Sequence, residues 1–524
     1  MISNGQLLTT DHRSLITGYK MRNRFRRVNS IFHFIGNLLG ILGPIVLLPL
    51  IVVLIHWGQK GDGWRTTLAF LIPALLSLSF GLLLRKVFKP TETLDMTGSM
   101  LICSLSWLFI SALGALPFVI GIGSNYLNAY FEAMSGFTTT GITVHSGLDD
   151  MPRSIIFWRA FTQWLGGIGI LSFFLMITFR GGGAHHIFGA ESHKISSSRP
   201  VPGLFNTVKI LWGIYGLFTL LAVTLLIIEG MPIFDSICHT FTALSTGGFS
   251  PYDSSIEYYR LAGHPNYRLI EYTLTFVMML GGINFLIHYR VLTRDFKALW
   301  DNIEIRYWWR LIAAFTIIIM IDHLRKVGFI HRATPDVGEL ERSFRYTIFQ
   351  VVSILTTTGF GTKDIGSEFF PALSKQLFLI MMVIGGCVGS TGGGIKVLRV
   401  AILNRLMFRE LLRLRVSGRA STELVIDKRI VPPEESHRVG ALFFTWMALL
   451  VIGGGITALF SNHGAWESFS GMFSALGNIG PCYISVKDMI NIHPVVKLTY
   501  IFGMLAGRLE ILPVLLLFSR RAWR

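Results

Sequence analysis

Charged residues are scarce in this chain of 524 residues, at 15% of the sequence, and the acidic sign is the scarcer one. Asp and Glu number 30, against 47 Lys and Arg, whereas hydrophobic residues make up 51%. The mean hydropathy is +0.55. Because an ordinary soluble domain carries about 25% charged residues, the composition argues against one. It predicts a polytopic membrane protein.

Cysteines and catalytic motifs are also few. The four cysteines, at 103, 238, 387 and 482, have a spacing that suggests neither a disulfide framework nor a zinc site. The run GGCVGSTGGGIK lacks the G-x-x-x-x-G-K-[ST] spacing of a nucleotide-binding loop, which argues against ATP hydrolysis. An intramembrane enzyme would need a nucleophile–base pair or a motif such as H-E-x-x-H. The only histidine-rich cluster, at 185–193, lies in a predicted cytoplasmic loop, so the sequence predicts no enzyme.

Four short segments of the chain can be stacked on one another. They are NAYFEAMSGFTTTGIT (128–143), DSICHTFTALSTGGFS (235–250), YTIFQVVSILTTTGFG (346–361) and ESFSGMFSALGNIGPC (467–482). Aligned on Gly141, Gly248, Gly359 and Gly480, each has a hydroxyl six residues earlier, an apolar residue four earlier and a polar residue two earlier. The glycines lie 107, 111 and 121 residues apart, so one unit is repeated four times. Each segment predicts a short helix followed by an extended loop, and four copies imply a ring.

Ten apolar stretches surround these segments, each close to the roughly 20 residues that cross a hydrocarbon layer. They are 35–57, 67–85, 99–122, 154–179, 206–229, 268–288, 310–331, 373–402, 439–460 and 494–518. Each stacked segment falls between two stretches and is too short to cross alone. Because non-helical backbone at membrane depth must be buried in protein or line a water-filled cavity, four such loops predict a pore.

The predicted fold is therefore an all-α polytopic membrane protein. Four M1–pore helix–M2 repeats surround one pore in a pseudo-fourfold arrangement, and an extra N-terminal helix hairpin precedes them. The predicted boundaries are 1–34 for a basic cytoplasmic N-terminus, 35–98 for the hairpin, 99–205 for repeat 1, 206–307 for repeat 2, 308–438 for repeat 3 with a gating loop and a cytoplasmic connection, and 439–524 for repeat 4.

Basic residues set the predicted orientation. They cluster before the first span, after the second, between repeats 2 and 3, between 396 and 438, and at the C-terminus. The positive-inside rule places these connections and both termini in the cytoplasm, so the pore helices enter from outside. The net charge of +17 then reflects topology and contact with anionic headgroups rather than nucleic-acid binding. The mixed-charge connection 403–438 is the best candidate for docking a cytoplasmic partner.

A monovalent cation is the ion that these loops predict. A pore helix entering from outside directs its partially negative C-terminal end toward the membrane centre, which favours a cation. Glycines let successive carbonyl oxygens turn inward and replace the water shell of the ion. Because the loops hold no ring of Asp or Glu, divalent selectivity is not expected.

Two further features predict a gate. Arg508 lies in the last apolar stretch, where a charge is costly and normally functional. Six glycines in ten residues interrupt the second span of repeat 3 and predict a flexible intramembrane loop. The predicted gate residues are Gly385, Gly386, Gly389, Ser390, Thr391, Gly392, Gly393, Gly394, Lys396 and Arg508. Gly166–Gly167 and Gly281–Gly282 predict only close helix packing.

The sequences WLGGIG, GGCVGSTGGGIKVLR, GRLE and the four loops TTTG, STGGFS, TTTGFG and GNIGP together resemble the TrkH/KtrB family of potassium transporters, along nearly the whole chain. The two extra N-terminal spans are similar to the TrkH branch. The resemblance implies a K⁺ uptake subunit of the bacterial inner membrane, with K⁺ as the transported ion and no organic cofactor. It also implies a homodimer with one pore per subunit and a cytoplasmic nucleotide-binding ring of the TrkA type (RCK/KTN).

The same resemblance assigns the filter. Its residues would be Thr139, Thr140, Gly141, Thr246, Gly247, Gly248, Thr357, Thr358, Gly359, Asn478, Ile479 and Gly480, with K⁺ held by the backbone carbonyls of the residues just before each glycine. Glycine at all four positions favours K⁺ over Na⁺ by analogy with eukaryotic relatives. Cys482 departs from the family pattern, which usually has another glycine there.

Two alternatives stay open at the level of sequence. The loops do not decide between channel-like flux and coupling to H⁺ or Na⁺ in a symporter of the same fold. A secondary transporter for an organic solute would also use broken helices at mid-membrane, but it is expected to show an inverted two-fold repeat. The four-fold stack opposes that second alternative.

Overall fold

The structure, a computed structural model, describes residues 11–90, 95–180, 204–329, 337–415, 423–427 and 429–523. The histidine cluster at 185–193 lies outside these residues. The described chain is built from helices, with one short antiparallel hairpin that pairs Val425–Ile426 with Arg429–Ile430.

An N-terminal hairpin precedes the repeats. Its helices are Asp11–Val46, which continues as Leu50–Ile55, and Trp64–Val87. Glycines bring the two arms together, because a Cβ atom built on Gly81 would lie 2.8 Å from the carbonyl oxygen of Gly36. The hairpin rests on the first repeat, where the ring centroids of Phe70 and Trp158 lie 6.1 Å apart.

Four repeats follow, each with a first helix, a pore helix and a second helix that is often broken. Repeat 1 contains Met96–Gly114 with Leu116–Ile122, then Tyr126–Phe137 and Arg153–Arg180. Repeat 2 contains Leu204–Ile228, Ile233–Leu244, and Tyr267–Gly282 with Phe285–Leu292. Repeat 3 contains Ile303–Lys326, Val337–Leu355, and Ala372–Val383 with Val397–Arg413. Repeat 4 contains Pro433–Phe460, Ala465–Gly477, and Pro494–Arg508 with Leu512–Leu516.

Short helices lie in the connections between these elements. They are Leu148–Asp150, Glu257–Leu261, Phe296–Leu299 and Val486–Asn491.

The repeats contact one another in cyclic order. The second helix of each repeat packs against the pore helix of the next one, from repeat 1 to 2, 2 to 3, 3 to 4, and 4 back to 1. Two large buried apolar clusters flank this ring. One joins the N-terminal hairpin to repeats 1 and 4, and the other joins repeats 2 and 3. The ring is therefore held from outside by packing between repeats.

Among the described residues, six helical segments are long and apolar enough to cross a membrane, or seven if one bent pair counts as a span. The ten apolar stretches of the sequence are all helical in part, but the second helices of repeats 2, 3 and 4 are interrupted. Length and hydropathy predict continuous spans in repeats 2 and 4, because hydropathy does not register a local break in the helix. In repeat 3 the break falls at the glycine run that predicts an interruption.

The break in repeat 2 has a clear local cause. Tyr267–Gly282 and Phe285–Leu292 meet at an angle of 105°. The first helix ends at Gly282, and Asn284 caps the next one by accepting a hydrogen bond from the N–H of Leu286 at 2.8 Å. Gly281 also provides the packing that the sequence predicts, since a Cβ atom there would lie 2.7 Å from the carbonyl oxygen of Leu244. The glycine pair therefore has a second role, which its sequence pattern alone does not reveal.

Candidate functional site

The four pore helices end in the same hydrogen-bonded turn. In each, the N–H of the residue just before the aligned glycine donates to the backbone carbonyl of the hydroxyl residue five positions earlier. The pairs are Thr140 to Ser135 (2.8 Å), Gly247 to Thr242 (2.8 Å), Thr358 to Ser353 (2.8 Å) and Ile479 to Ser474 (3.0 Å). This bond is the longer of the two that define a Schellman motif at a helix C-terminus. The column of hydroxyl residues in the sequence therefore marks the third residue from the end of the first three pore helices and the fourth from the end of the last one.

Left-handed backbone follows each pore helix at two positions. The residue two before the glycine has a φ of 51° at Thr139, 55° at Thr246, 60° at Thr357 and 55° at Asn478. The glycines have φ values of 82°, 75°, 89° and 106° in chain order. A left-handed residue other than glycine costs roughly 1–2 kcal/mol, and a β-branched one is a true outlier. Strain of this kind is concentrated at functional sites, which makes the four loops the primary candidate site.

The four loops close into a ring through their glycines. A Cβ atom built on each glycine would approach the carbonyl oxygen of the residue before the glycine of the next loop. These distances are 2.1 Å from Gly141 to Gly247, 2.0 Å from Gly248 to Thr358, 1.9 Å from Gly359 to Ile479, and 3.1 Å from Gly480 to Thr140. Only a residue without a side chain fits the first three positions, and the fourth is looser. The predicted filter residues of all four repeats therefore meet in one place.

The side chains at the ring connect neighbouring repeats. The Asn478 amide nitrogen donates to the hydroxyl of Thr140 at 2.8 Å and to the carbonyl of Met504 at 2.9 Å. The carbonyl oxygens of Gly247, Thr358 and Ile479 lie close to the glycine of the adjacent loop, as the distances above show. Each loop is numbered after its repeat. Loop 2 is also held by the side-chain amide of Gln163, which donates to the carbonyl of Gly247 and accepts from the N–H of Phe249. No sequence pattern points to Gln163, because a lone glutamine in an apolar span belongs to no motif.

A cavity of about 570 Å³ lies against one side of the ring and touches all four glycines. Its lining holds three basic and three acidic side chains: Arg159, Lys363, Lys487, Asp253, Glu257 and Asp364. Burial lowers the pKa of His145, which also lines the cavity, so its imidazole is neutral at pH 7. Cys482, the departure from the family pattern, lies in this lining too. The three basic and three acidic side chains of the cavity lining therefore balance in number.

A buried ion pair supports loop 1 from behind. Arg159 Nε donates to Glu132 Oε1 at 2.8 Å, and the two side chains are 2% and 0% exposed. Glu132 also accepts from the backbone N–H of Val144 at 3.0 Å, and Arg159 also donates to the carbonyl of Ser250 at 3.0 Å. Glu132 therefore fixes the segment that follows Gly141. By contrast, Glu467 caps its own pore helix through the N–H of Gly464 at 2.6 Å.

Replacing Arg159 by Met should strongly destabilise the protein. The change leaves the Glu132 carboxylate buried without its partner, and breaking such a pair costs about 3–5 kcal/mol. Thermal unfolding of the purified protein in detergent measures the effect. The double variant Arg159→Met with Glu132→Gln should recover part of the loss, because the buried charge is then gone. A single variant that unfolds at the wild-type temperature would contradict this reading of the pair.

The glycine-rich run of repeat 3 forms a buried non-helical loop between Val383 and Val397, closed by a bridge between Ile384 and Ile395. The broken helix of repeat 2 satisfies much of its backbone. Cys387 and Thr391 donate their N–H groups to Gly282 and Gly281 at 2.9 and 3.1 Å, and Phe285 donates to Gly389 at 3.1 Å. Backbone groups that the break frees are thus paired with backbone groups of the loop.

The same loop contacts the ring directly. Gly393 donates its N–H to the hydroxyl of Thr357 at 2.7 Å. The hydroxyl of Thr391 donates to the carbonyl of Leu244 at 2.9 Å, at the end of pore helix 2. A Cβ atom on Gly393 would lie 2.8 Å from Asn478 Oδ1. The loop therefore touches the ends of three of the four pore-helix loops.

Arg508 fastens this loop from repeat 4. One guanidinium nitrogen donates to the carbonyl of Thr391 at 2.5 Å and the other to the carbonyl of Gly166 at 3.1 Å. The side chain is 2% exposed. Arg508 is the last residue of the helix Pro494–Arg508, so its position differs from the middle of a continuous span that the sequence predicts. Lys396 Nζ donates to the carbonyl of Gly392, so two cations bind the backbone of the loop.

A ring of four re-entrant loops within a bundle of membrane-length helices, obstructed on one side by an ordered loop, defines a polytopic membrane transport protein. A family model described as "Cation transport protein" matches residues 68–523 of the chain. The chain belongs to this family, TrkH.

Three similar proteins illustrate the relationship. The Trk system potassium uptake protein TrkH of Salmonella typhimurium is 32% identical over 502 residues, which cover 94% of this chain and 99% of the relative. An uncharacterized cation transporter of Methanocaldococcus jannaschii is 31% identical over 94% of this chain and 95% of its own. The crystal structure of the potassium transporter TrkH from Vibrio parahaemolyticus superposes with a TM-score of 0.81 at 28% identity, covering 95% of this chain and all of that one.

The family and the helical membrane fold that the sequence predicts are thereby confirmed. The structure brings the four stacked segments together in one ring, and each has its glycine because the same backbone geometry repeats in every copy.

Proposed function

We propose that this chain carries K⁺ into the cell across a bacterial inner membrane, through a filter formed by the four loops. The observation that carries the proposal is the closed ring of left-handed loops at the ends of four pore helices. The names of the relatives support potassium as the ion. Four helix C-termini converging on the ring place partial negative charge there, which favours a cation.

Selection of K⁺ would come from backbone carbonyls of the loop residues 139–140, 246–247, 357–358 and 478–479. Carbonyl oxygens replace the hydration shell of an alkali cation when the backbone holds them at a fixed spacing. The Schellman bonds and the glycine contacts provide that fixed spacing, since each loop is tied both to its own helix and to its neighbour.

The loop 385–395, together with Lys396 and Arg508, would be the gate. It lies against the residues two before the filter glycines, and its backbone is held by the side chain of Thr357 in its own repeat and by that of Arg508 in repeat 4. Opening would require the bonds of Arg508 to Thr391 and Gly166 to break. An ordered loop with so many partners rests in a closed position, and a signal must displace it.

The cytoplasmic side would provide that signal. The helix Val397–Arg413 begins directly after the gating loop, and its far end exposes apolar side chains beside basic ones. They include Met407, Phe408, Leu411 and Leu412. A nucleotide-binding ring of the TrkA type docked near this helix would pull on the gate. The protein would act as a homodimer with one pore in each subunit and with both termini in the cytoplasm.

Growth on limiting K⁺ tests the proposal. A bacterial strain without its own K⁺ uptake systems should grow at low K⁺ when it expresses this chain together with a TrkA-type partner. Membrane blots confirm expression. Failure to grow with both proteins present in the membrane would overturn the uptake function.

Flux of ⁸⁶Rb⁺ into proteoliposomes then separates a channel from a symporter. Channel-like flux should follow the Rb⁺ gradient alone, whereas a symporter would require an imposed pH or Na⁺ gradient to accumulate the ion.

A further inference from the structure

Loop 2 lacks a hydrogen bond between two threonine hydroxyls that loops 1 and 3 possess. In loops 1 and 3 the residue before the glycine is a threonine, and its hydroxyl bonds to the hydroxyl two residues earlier. These pairs are Thr138 with Thr140 at 2.8 Å and Thr356 with Thr358 at 2.7 Å. In loop 2 this residue is Gly247, which has no side chain. Another contact must therefore fix the position of loop 2.

Gln163 occupies the space that a side chain at position 247 would fill. A Cβ atom built on Gly247 would lie 2.4 Å from the Gln163 amide carbon. Gln163 Nε2 donates to the carbonyl of Gly247 at 2.7 Å, and Gln163 Oε1 accepts from the N–H of Phe249 at 3.0 Å. Because a carbonyl needs a donor and an N–H needs an acceptor, these two partners fix the orientation of the amide. The side chain is 0% exposed.

The clamp acts at the junction between two loops. The carbonyl of Gly247 that Gln163 holds is the one that lies against Gly141, where a Cβ atom would be 2.1 Å away. Gln163 belongs to the second helix of repeat 1, which packs against pore helix 2. One side chain thus sets the position of loop 2 relative to loop 1 from a rigid helix.

We propose that Gln163 is a positioning residue that sets the discrimination between K⁺ and Na⁺, by replacing the side-chain anchor missing from loop 2. This inference rests on the proposed function of the ring as a K⁺ filter. Without the amide, the Gly247 carbonyl and the Phe249 N–H lose their partners, and loop 2 can relax toward positions that suit the smaller Na⁺ ion.

The test uses Gln163→Met, which keeps the volume and removes both hydrogen bonds. The ratio of ⁸⁶Rb⁺ to ²²Na⁺ flux in proteoliposomes should fall by about tenfold, the factor that corresponds to 1.4 kcal/mol. Gel filtration and thermal unfolding check that the variant is folded. Gln376→Met is the control for the substitution, since Gln376 is an exposed glutamine of the helix Ala372–Val383 and does not line the cavity against the ring. It should leave the ratio within about twofold of the wild type, less than 0.5 kcal/mol.

A rescue experiment separates positioning from general damage. Gly247→Thr alone should lower the ratio, because the new side chain collides with Gln163. The double variant Gln163→Ala with Gly247→Thr makes room for the threonine and gives loop 2 the residue that loops 1 and 3 carry. It should recover selectivity relative to either single variant.

The outcomes distinguish the two levels of the proposal. A wild-type protein without preference for Rb⁺ over Na⁺ would contradict the filter itself. A selective wild type with an unchanged ratio in folded Gln163→Met would overturn the role of Gln163 and leave the filter standing. Loss of selectivity in Gln376→Met as well, or no recovery in the double variant, would also reject the role of Gln163.

Discussion

Replacing Gly141 by serine should abolish most of the preference for K⁺ over Na⁺. The new Cβ atom would lie 2.1 Å from the carbonyl oxygen of Gly247, so that oxygen must move. The φ of 82° adds a backbone cost of roughly 1–2 kcal/mol for a residue with a side chain. A ring of carbonyls selects an ion by its spacing, and a shift of one carbonyl alters that spacing. The ratio of ⁸⁶Rb⁺ to ²²Na⁺ flux measures the change.

A second glycine isolates the effect of the collision. Gly147 also has a left-handed φ, 73°, but a Cβ atom there would meet nothing within 4 Å. Gly147→Ser therefore shares the backbone cost without the collision, and it should retain selectivity. Gly480→Ser should fall between the two, because its nearest carbonyl is 3.1 Å away. Equal selectivity in Gly141→Ser and the wild type would show that loop 1 is not part of the filter.

Replacing Arg508 by alanine should raise ion flux in the absence of any cytoplasmic partner. The change removes both donors that tie the gating loop to repeats 1 and 4, at Thr391 and Gly166. A buried acceptor left without its donor costs about 1–3 kcal/mol, so the closed position of the loop loses much of its advantage. It also removes a buried positive charge beside the ring. Initial rates of ⁸⁶Rb⁺ uptake by proteoliposomes measure the result.

A conservative variant separates the two possible causes of a higher flux, which are the loss of the hydrogen bonds to the loop and the loss of the positive charge. Arg508→Lys keeps the positive charge but cannot reach both carbonyls with a planar fork. If loop anchoring dominates, its flux should approach that of Arg508→Ala; if the charge dominates, it should stay near that of the wild type. A lower flux in folded Arg508→Ala would argue against Arg508 as part of a barrier.

The sequence is most informative where a physical requirement repeats in every copy of the unit. Gly141, Gly248, Gly359 and Gly480 are visible as a column because each loop needs left-handed backbone and close approach to its neighbour. The column of hydroxyl residues six positions earlier does not follow from that backbone requirement. The structure uses their backbone carbonyls to end the pore helices, a role that any residue type could fill.

The contacts that the sequence did not reveal join residues far apart in the chain. Gln163 reaches Gly247, and Arg508 reaches Thr391 and Gly166, across separations of 84, 117 and 342 residues. The sequence also did not predict the helix break after Gly282, because two glycines in an apolar stretch are equally consistent with packing and with a helix end.

The sequence by itself determined the membrane class, the fourfold repeat and the four glycines of the ring, because these depend on composition and on local backbone geometry. Only the tertiary structure decided which carbonyl each glycine meets, what holds loop 2 in place, and how the loop of repeat 3 is fastened beneath the ring. Those features depend on which side chains the cyclic packing of four unequal repeats brings together, and no local pattern encodes that packing.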